Sequence, residues 1–189
     1  MKLVEHLESH LGPIASGWKA AGGPTPFHIL RFADQPQRGV TTFTTLGLSN
    51  SILELPKNRF VRQEFIFSAH DRYKPRIISS ILVEIGEFVH KSGKALLRGD
   101  LAGTFEAILP SASTRVIYCT VPVMFRSDLS TFSESVPPTV LVWLIPITIE
   151  EADFVKEKGW SKFEDLLERH DVDFWDLDRK SIWDPLKSN

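Results

Sequence analysis

The spacing of apolar residues predicts two amphipathic helices in the first half of the chain. Apolar residues recur every three or four positions over residues 3–11, and Gly12-Pro13 ends that run. The same spacing is strongest over residues 75–91, where Pro75 suits the first helical turn and Ser92-Gly93 follows the last turn. Both segments are therefore predicted to pack one apolar face against a core.

Six runs rich in β-branched and aromatic residues predict strands, three before the longer helix and three after it. They cover residues 27–32, 40–48, 60–67, 104–109, 116–125 and 139–147. Pro122 cannot donate a backbone hydrogen bond, which predicts that the fifth run is an edge strand or contains a bulge. The last run is apolar on both faces, which predicts a central strand covered on both sides. Its faces carry Val140, Val142 and Leu144, and Leu141, Trp143 and Ile145.

Two helices are predicted to close the folded part of the chain. Thr148 and Glu151 have the spacing of a capping box, Gly159 ends the helix that follows, and Ser161 begins another. Strands and helices thus come in blocks, which favours an α+β fold with a mixed, mostly antiparallel sheet and helices packed on it. We expect residues 1–189 to form one domain, with a core over about 27–180 and an acidic-aromatic tail over 171–189.

Composition and charge narrow the classes of function. The 189 residues are 42% hydrophobic and 24% charged, as in ordinary globular proteins, and they contain no apolar run of membrane-spanning length and no visible signal peptide. We therefore expect a cytoplasmic protein without a membrane partner. The net charge of −2 predicts no general attraction to nucleic acid. The charge is uneven, because residues 1–148 carry a balance of +3 and residues 149–189 a balance of −5.

Most motifs for catalysis, metals and cofactors are missing, so we expect no cofactor, no metal and no catalytic residue. The chain has neither a phosphate-binding loop nor a glycine-rich dinucleotide motif. His6 and His10 share a helix face but lack a third ligand, so we interpret them as two exposed histidines. Cys119 lies in an apolar run and is interpreted as a small buried hydrophobic residue. Ser49 lies in a sequence that resembles a nucleophile elbow but lacks the second glycine of that motif, so a hydrolase remains an alternative hypothesis.

Three segments in order resemble the Suppressor of fused family. They are Phe43-Thr44-Thr45-Leu46-Gly47-Leu48-Ser49, then Arg62-Gln63-Glu64-Phe65, then residues 144–151 followed by Gly159 and Leu166-Leu167. The resemblance implies an α/β fold without known enzymatic activity, and single-domain bacterial relatives are proposed immunity proteins that neutralise toxins. From the residues themselves, we expect Gly47 to adopt a backbone conformation closed to other residues and Ser49 to hydrogen-bond in the turn. Arg62 and Glu64 share one strand face, where we expect them to pair with neighbouring strands.

Three hypotheses about function follow from these observations. The first is a non-enzymatic protein-interaction module in a bacterium, an immunity protein whose protein partner is a cognate toxin domain. The alternatives are a hydrolase with Ser49 as nucleophile, helped by His28 or His70, and a regulatory scaffold without a toxin partner. For the first, the candidate contact residues are acidic or aromatic residues of the tail: Asp171, Asp173, Trp175, Asp176 and Asp178. The competing interpretation is that the aromatic side chains pack the tail onto the body while the acids stay hydrated.

Overall fold

Four helices and nine strands make up the computed structural model, which describes residues 2–19, 27–104 and 112–183. The helices are α1 (Leu3–Leu11), α2 (Pro75–Ser92), α3 (Ile149–Lys158) and α4 (Trp160–Arg169). The strands are β1 (Ser16–Lys19), β2 (His28–Phe32), β3 (Val40–Leu46), β4 (Leu53–Leu55), β5 (Arg59–His70), β6 (Leu101–Thr104), β7 (Val116–Thr120), β8 (Thr131–Phe132) and β9 (Thr139–Ile147). Single 3-10 turns lie at Leu48–Asn50 and Ser127–Ser130.

The helix boundaries follow the capping residues that the sequence contains. Pro75 opens α2, and Gly93 ends it with a φ of 67°, in the left-handed region that suits glycine. Thr148 accepts a hydrogen bond from the backbone N–H of Glu151, and the Glu151 carboxylate accepts one from the N–H of Thr148 at 3.0 Å. The predicted capping box is confirmed, and α4 begins at Trp160, one residue before the predicted Ser161. Within the described ranges, no helix has the length and apolarity needed to cross a membrane.

The strands form one mixed sheet in the order β1-β2-β3-β5-β9-β7-β6, with β4 beside β5 and β8 beside β9. Every pairing is antiparallel except that of β5 with β9, where Phe65 lies opposite Val142. The prediction of a mixed, mostly antiparallel sheet in an α+β fold is therefore confirmed. The parallel pair is possible because α2 and the strands after it carry the chain back across the sheet before β9 begins.

Strand β9 is the central strand that its apolar sequence predicted. It pairs with β5 on one side and β7 on the other. Val142 and Leu144 pack in the cluster that contains the apolar side chains of α2, and Val140 is partly buried against it. Leu141, Trp143 and Ile145 pack in a second cluster with α1, α3 and α4. The sheet is thus covered by helices on both faces.

Two of the six predicted strands need correction or lie partly outside the described residues. The run over residues 116–125 is a strand only as far as Thr120, because the chain turns at Pro122. That strand is not an edge, since β7 lies between β9 and β6. Strand β6 covers Leu101–Thr104, and residues 105–109 of the predicted strand over residues 104–109 lie outside the described residues.

Candidate functional site

The C-terminal tail, residues 170–183, is packed against the sheet rather than extended into solvent. The backbone N–H of His70 donates to the Trp175 carbonyl at 3.0 Å, and the N–H of Thr114 donates to the Leu177 carbonyl at 3.1 Å. Trp175 is only 4% exposed and Leu177 is fully buried. The aromatic and aliphatic side chains of the tail therefore pack on the body, and residues 184–189 of the predicted tail lie outside the described residues.

A buried ion pair holds the end of the tail in place. The Arg179 guanidinium donates to both carboxylate oxygens of Glu151, each at 2.7 Å, and its Nη2 also donates to the Pro146 carbonyl at 3.4 Å. The backbone N–H of Ile182 donates to Glu151 Oε1 at 3.0 Å. The Glu151 carboxylate thus caps the first turn of α3 and also binds the tail, through Arg179 and the backbone of Ile182.

The acids of the tail contact basic and aromatic residues at the end of β5 and directly after it. His70 Nε2 lies 2.8 Å from Asp173 Oδ2, and Arg72 forms an ion pair with Asp176. The Tyr73 hydroxyl donates to Asp176 at 2.6 Å. Burial and the bond to Asp176 raise the pKa of Tyr73 to about 12. The pKa of Asp176 is lowered, because the bonds it accepts from Tyr73, the backbone and Arg72 outweigh its partial burial.

Four carboxylates of the tail, Asp171, Asp173, Asp176 and Asp178, form what we call the acidic tail surface. The Asp178 carboxylate also accepts a bond from the Tyr73 hydroxyl at 2.9 Å, and Asp171 is exposed. The predicted acids thus lie along one segment, while the side chain of Trp175 within that segment is buried against Trp143 and Phe125. Carboxylates, and not the Trp175 ring, are therefore the groups that this surface presents to solvent. That a partner protein binds there stays a prediction.

A second group of polar residues surrounds the buried carboxylate of Glu64. It accepts bonds from Thr45 Oγ1 at 2.5 Å, Gly47 N at 2.8 Å, Ser49 N at 3.0 Å and Ser49 Oγ at 2.7 Å. Burial raises the pKa of Glu64, although these four bonds oppose the shift. Gly47 has a φ of 105°, which confirms the expectation that its backbone conformation excludes other residues.

Arg62 fixes the same turn from outside. Its guanidinium donates to the Ser49 carbonyl at 2.7 Å and to the Asn50 carbonyl at 3.1 Å. Glu64 therefore binds the donors of the turn and Arg62 binds its acceptors. Glu64 also pairs with a side chain of the neighbouring strand as expected, because it accepts the bond from Thr45 of β3. Arg62 instead binds the turn and attaches residues 47–50 to β5.

The geometry does not favour Ser49 as a nucleophile. Its hydroxyl donates to Glu64, a carboxylate that already accepts three other bonds. His28 lines the same cavity of about 670 Å³ as Ser49, but no hydrogen bond joins the two side chains in the described part of the chain. His70, the other proposed helper, is engaged by Asp173 at the far end of β5.

The histidine prediction is wrong for α1, and the cysteine prediction is confirmed. His6 is buried, with Nε2 3.1 Å from the Leu129 carbonyl, and His10 is partly buried, with Nε2 3.2 Å from Asp128. The turn Ser127–Ser130 covers this face of the helix. Among residues 2–19, 27–104 and 112–183, no group of three His, Cys, Asp or Glu side chains is placed to hold a metal. Cys119 is fully buried, which raises the pKa of its thiol.

Comparison with known proteins identifies relatives over most of the chain. Residues 23–180 match the family model described as Suppressor of fused protein (SUFU). A protein of Bacillus subtilis (strain 168), Immunity protein YqcF, is 25% identical over 158 residues, which cover 82% of this chain and 80% of that protein. The match to the family model includes the turn at residues 47–50, β5 and α3.

Solved structures share the fold at low sequence identity. A putative SUFU homolog from Neisseria gonorrhoeae has a TM-score of 0.76 at 15% identity, and the match covers 96% of both chains. A chain of the Sufu-Fu complex has a TM-score of 0.72 at 11% identity, covering 95% of this chain and 90% of that one. Drosophila Suppressor of Fused has a TM-score of 0.71 at 12% identity, and this chain spans 50% of its length.

Proposed function

This chain belongs to the Suppressor of fused family, and from that premise we propose that it is a protein-binding module that neutralises a toxin domain in the bacterial cytoplasm. The observation that carries the proposal is the alignment with Immunity protein YqcF over about four fifths of both chains. The chain is not proposed to catalyse a reaction. Its protein partner is proposed to be a cognate toxin, with no nucleic acid or membrane as partner.

The chemistry around the family motifs supports binding rather than catalysis. Glu64 and Arg62 use their hydrogen-bonding groups to hold residues 47–50, and the hydroxyl of Ser49 is part of that arrangement. A nucleophilic serine needs a base that accepts its proton and is itself oriented by a third group. The Glu64 carboxylate that accepts the hydrogen bond from Ser49 is buried and accepts three further bonds, so it serves to stabilise the turn.

The charge of the tail supports a basic partner. Toxins that act on nucleic acids need basic surfaces to hold phosphates, and an acidic inhibitor gains association rate from long-range attraction to such a surface. We propose that the acidic tail surface makes this contact, through Asp171, Asp173, Asp176 and Asp178. Trp175, proposed from the sequence as an aromatic anchor, is only 4% exposed in the structure, where it packs against Trp143 and Phe125.

Coexpression with the toxin encoded by the neighbouring gene tests the proposal. An immunity gene is expected directly downstream of a large toxin gene, so the C-terminal domain of that toxin is the partner to use. We expect the chain to restore growth of cells that express the toxin domain and to copurify with an inactivated form of it. A toxin domain from an unrelated system serves as the specificity control.

Two results would redirect the interpretation. If neither growth rescue nor copurification occurs, the toxin partner is rejected and a scaffold with another partner becomes the better hypothesis. If the purified chain hydrolyses esters or nucleic acids and Ser49→Ala abolishes that activity, the chain is an enzyme. A Ser51→Ala variant, which changes an exposed neighbouring hydroxyl, is the matched control for that screen.

A further inference from the structure

An apolar cavity of about 310 Å³ lies between α4 and the loop that follows β7. Its apolar wall includes Trp143 and Ile145 from β9, Leu167 from α4 and Phe174 from the tail. This volume is at the lower end of the range for small-ligand pockets. It therefore suits one large side chain better than an extended substrate.

The side of the cavity formed by the loop exposes apolar side chains to solvent. Val123 is 67% exposed and Met124 is 47% exposed, and both line the cavity. The preceding Val121 is 36% exposed. Single exposed apolar residues are common on protein surfaces, but a contiguous group beside an apolar cavity is characteristic of an interaction site.

The opposite side of the cavity is acidic. Glu164, Glu168 and Asp171 line it, and Arg98 is the one guanidinium among the described lining residues. Arg98 is already occupied, because it forms an ion pair with Glu164 and stacks over the Trp160 ring at 4.7 Å. Glu168 and Asp171 are exposed, and neither forms an ion pair within the described part of the chain.

Glu164 gives this side of the cavity a fixed shape. Its carboxylate accepts bonds from Tyr118 Oη at 2.8 Å and Thr120 Oγ1 at 2.7 Å, in addition to the ion pair with Arg98. Partial burial raises its pKa, but the bonds from Arg98, Thr120 and Tyr118 outweigh that effect and hold the pKa below the ordinary value. Glu168 and Asp171 therefore lie beside a carboxylate that these contacts hold in place, and Glu168 is near enough to Arg98 to help raise the pKa of that guanidinium.

We infer that this cavity receives one large apolar side chain of a protein partner, flanked in the partner by lysine or arginine. The inference rests on the proposed function and names the anchor point of the same interaction. Charge complementarity specifies the flanking residues, since Glu168 and Asp171 are exposed carboxylates of the cavity lining that form no ion pair among the described residues. The cavity is also continuous with the acidic tail surface, because Asp171 belongs to both. A buried aromatic anchor ringed by polar contacts is the usual arrangement of an interface hot spot.

A peptide experiment tests the cavity without any toxin. The probe is the blocked pentapeptide acetyl-Gly-Lys-Trp-Lys-Gly-amide, titrated to millimolar concentration into the isotope-labelled full-length protein. We expect backbone amide shifts at residues 120–125 and 167–174. The same peptide with alanine in place of tryptophan, or with glutamate in place of both lysines, is expected to cause much smaller shifts. No shift at these residues, or equal shifts with all three peptides, overturns the inference.

A variant experiment connects the cavity to the partner. Val123→Asp and Glu168→Lys alter opposite sides of the cavity at exposed positions, so folding is expected to be retained, which the melting temperature checks. Val136→Asp and Asp153→Lys are matched controls at exposed positions away from the cavity. We expect the first pair to weaken binding of the inactivated toxin domain at least about tenfold, as for hot-spot residues, and the controls to leave it within about twofold.

The two experiments separate failure of this inference from failure of the proposed function. If the unmodified protein does not bind the toxin domain, the proposed function fails, and the peptide shifts alone decide whether the cavity accepts an apolar side chain between basic residues. If the toxin domain binds and the cavity variants bind it as well as the controls do, the proposed function stands and the cavity is not its anchor point.

Discussion

Arg179 and Glu151 form a buried two-pronged ion pair, with Nη1 and Nη2 of the guanidinium each 2.7 Å from one carboxylate oxygen. Glu151 is fully buried and Arg179 is 7% exposed. The pair joins the first turn of α3 to a tail residue 28 positions later. Burying two charges is costly, so such a pair persists only when each charge keeps its partner.

Removing the arginine is therefore expected to destabilise the protein and to release the tail. We predict that Arg179→Ala lowers the free energy of unfolding by about 3–5 kcal/mol, because the Glu151 carboxylate is left buried without its counter-ion. Urea denaturation measures the loss, and hydrogen exchange at residues 172–183 reports on the tail. Arg169→Ala, at an exposed position on α4, is the control and is expected to change stability by no more than about 0.5 kcal/mol. An Arg179→Ala protein as stable as this control would show that the pair does not hold the tail.

The buried carboxylate of Glu64 predicts a large effect of its removal. Glu64→Ala leaves the buried hydrogen-bond donors of Gly47 and Ser49 without an acceptor, and each unsatisfied buried group costs about 1–3 kcal/mol of stability. We expect a loss of several kcal/mol, measured by thermal or urea denaturation. Glu54→Ala, which changes an exposed glutamate on β4, should have a small effect by comparison.

The raised pKa of Glu64 also predicts a pH dependence of stability. An exposed glutamate titrates near 4.5, and burial raises the pKa of Glu64 above that value in the folded protein. The folded state then holds a proton more tightly than the unfolded state, so this contribution to stability is complete below pH 4.5 and is lost as the pH rises through the folded-state pKa. Relative to Glu64→Gln, the native protein should lose stability over that range. If the native protein instead gains stability over Glu64→Gln as the pH rises, the four hydrogen bonds lower the pKa of Glu64 by more than burial raises it.

Leu144 tests the central position of β9. Its side chain is fully buried in the cluster with α2 and lies opposite Cys119 on β7. We predict that Leu144→Ala costs about 2–5 kcal/mol, since it removes apolar contacts and leaves a cavity. Val136→Ala, at a side chain that is 88% exposed, is the control and should be nearly neutral. A small loss at Leu144 would indicate that the surrounding helices collapse into the space.

The acidic tail surface predicts a kinetic effect on partner binding. Replacing Asp173, Asp176 and Asp178 with asparagine should slow association with the toxin domain and weaken its salt dependence. Asparagine keeps an acceptor oxygen for Tyr73, and the exposed pair of Asp176 with Arg72 is worth at most about 1 kcal/mol. The melting temperature should therefore change little.

Stopped-flow measurements over a range of salt concentrations provide the test of the tail. The control replaces three exposed acids of α3, Glu150, Asp153 and Glu157, with their amides, which changes the net charge equally. If the two triple variants associate at the same rate, only the net charge matters. If binding is unchanged in both, the tail is not the interface and the cavity beside α4 becomes the place to search.

The order of most elements could be predicted from local patterns, because each of those elements buries its own apolar residues. The period of α2, the capping box at Thr148 and the two apolar faces of β9 are all recorded within a few consecutive residues. Strands β1, β4 and β8 were not predicted, since runs of four, three and two residues are too short to establish an alternation. Each of them pairs with the next strand along the chain, and those longer strands supply the hydrogen-bonding partners that such short runs need.

The candidate sites, in contrast, depended on contacts between residues that are distant in sequence. His6 looked exposed because its own helix offers no cover, yet residues near Leu129 bury it. The aspartates of the tail looked hydrated, yet His70, Arg72 and Tyr73 lie within hydrogen-bond distance of them. The cavity beside α4 had no signal in the sequence, because its walls come from β9, α4, the tail and the loop after β7.

The sequence by itself therefore determined the helices, the longer strands, the apolar faces and the uneven charge, since each depends on the periodicity and composition of neighbouring residues. Tertiary structure alone decided that β9 runs parallel to β5, that Arg179 reaches Glu151, and that an apolar cavity opens beside two unpaired carboxylates. The physical reason is that burial along one element follows a local period, whereas pairing, ion contacts and cavities arise where surfaces far apart in the chain meet.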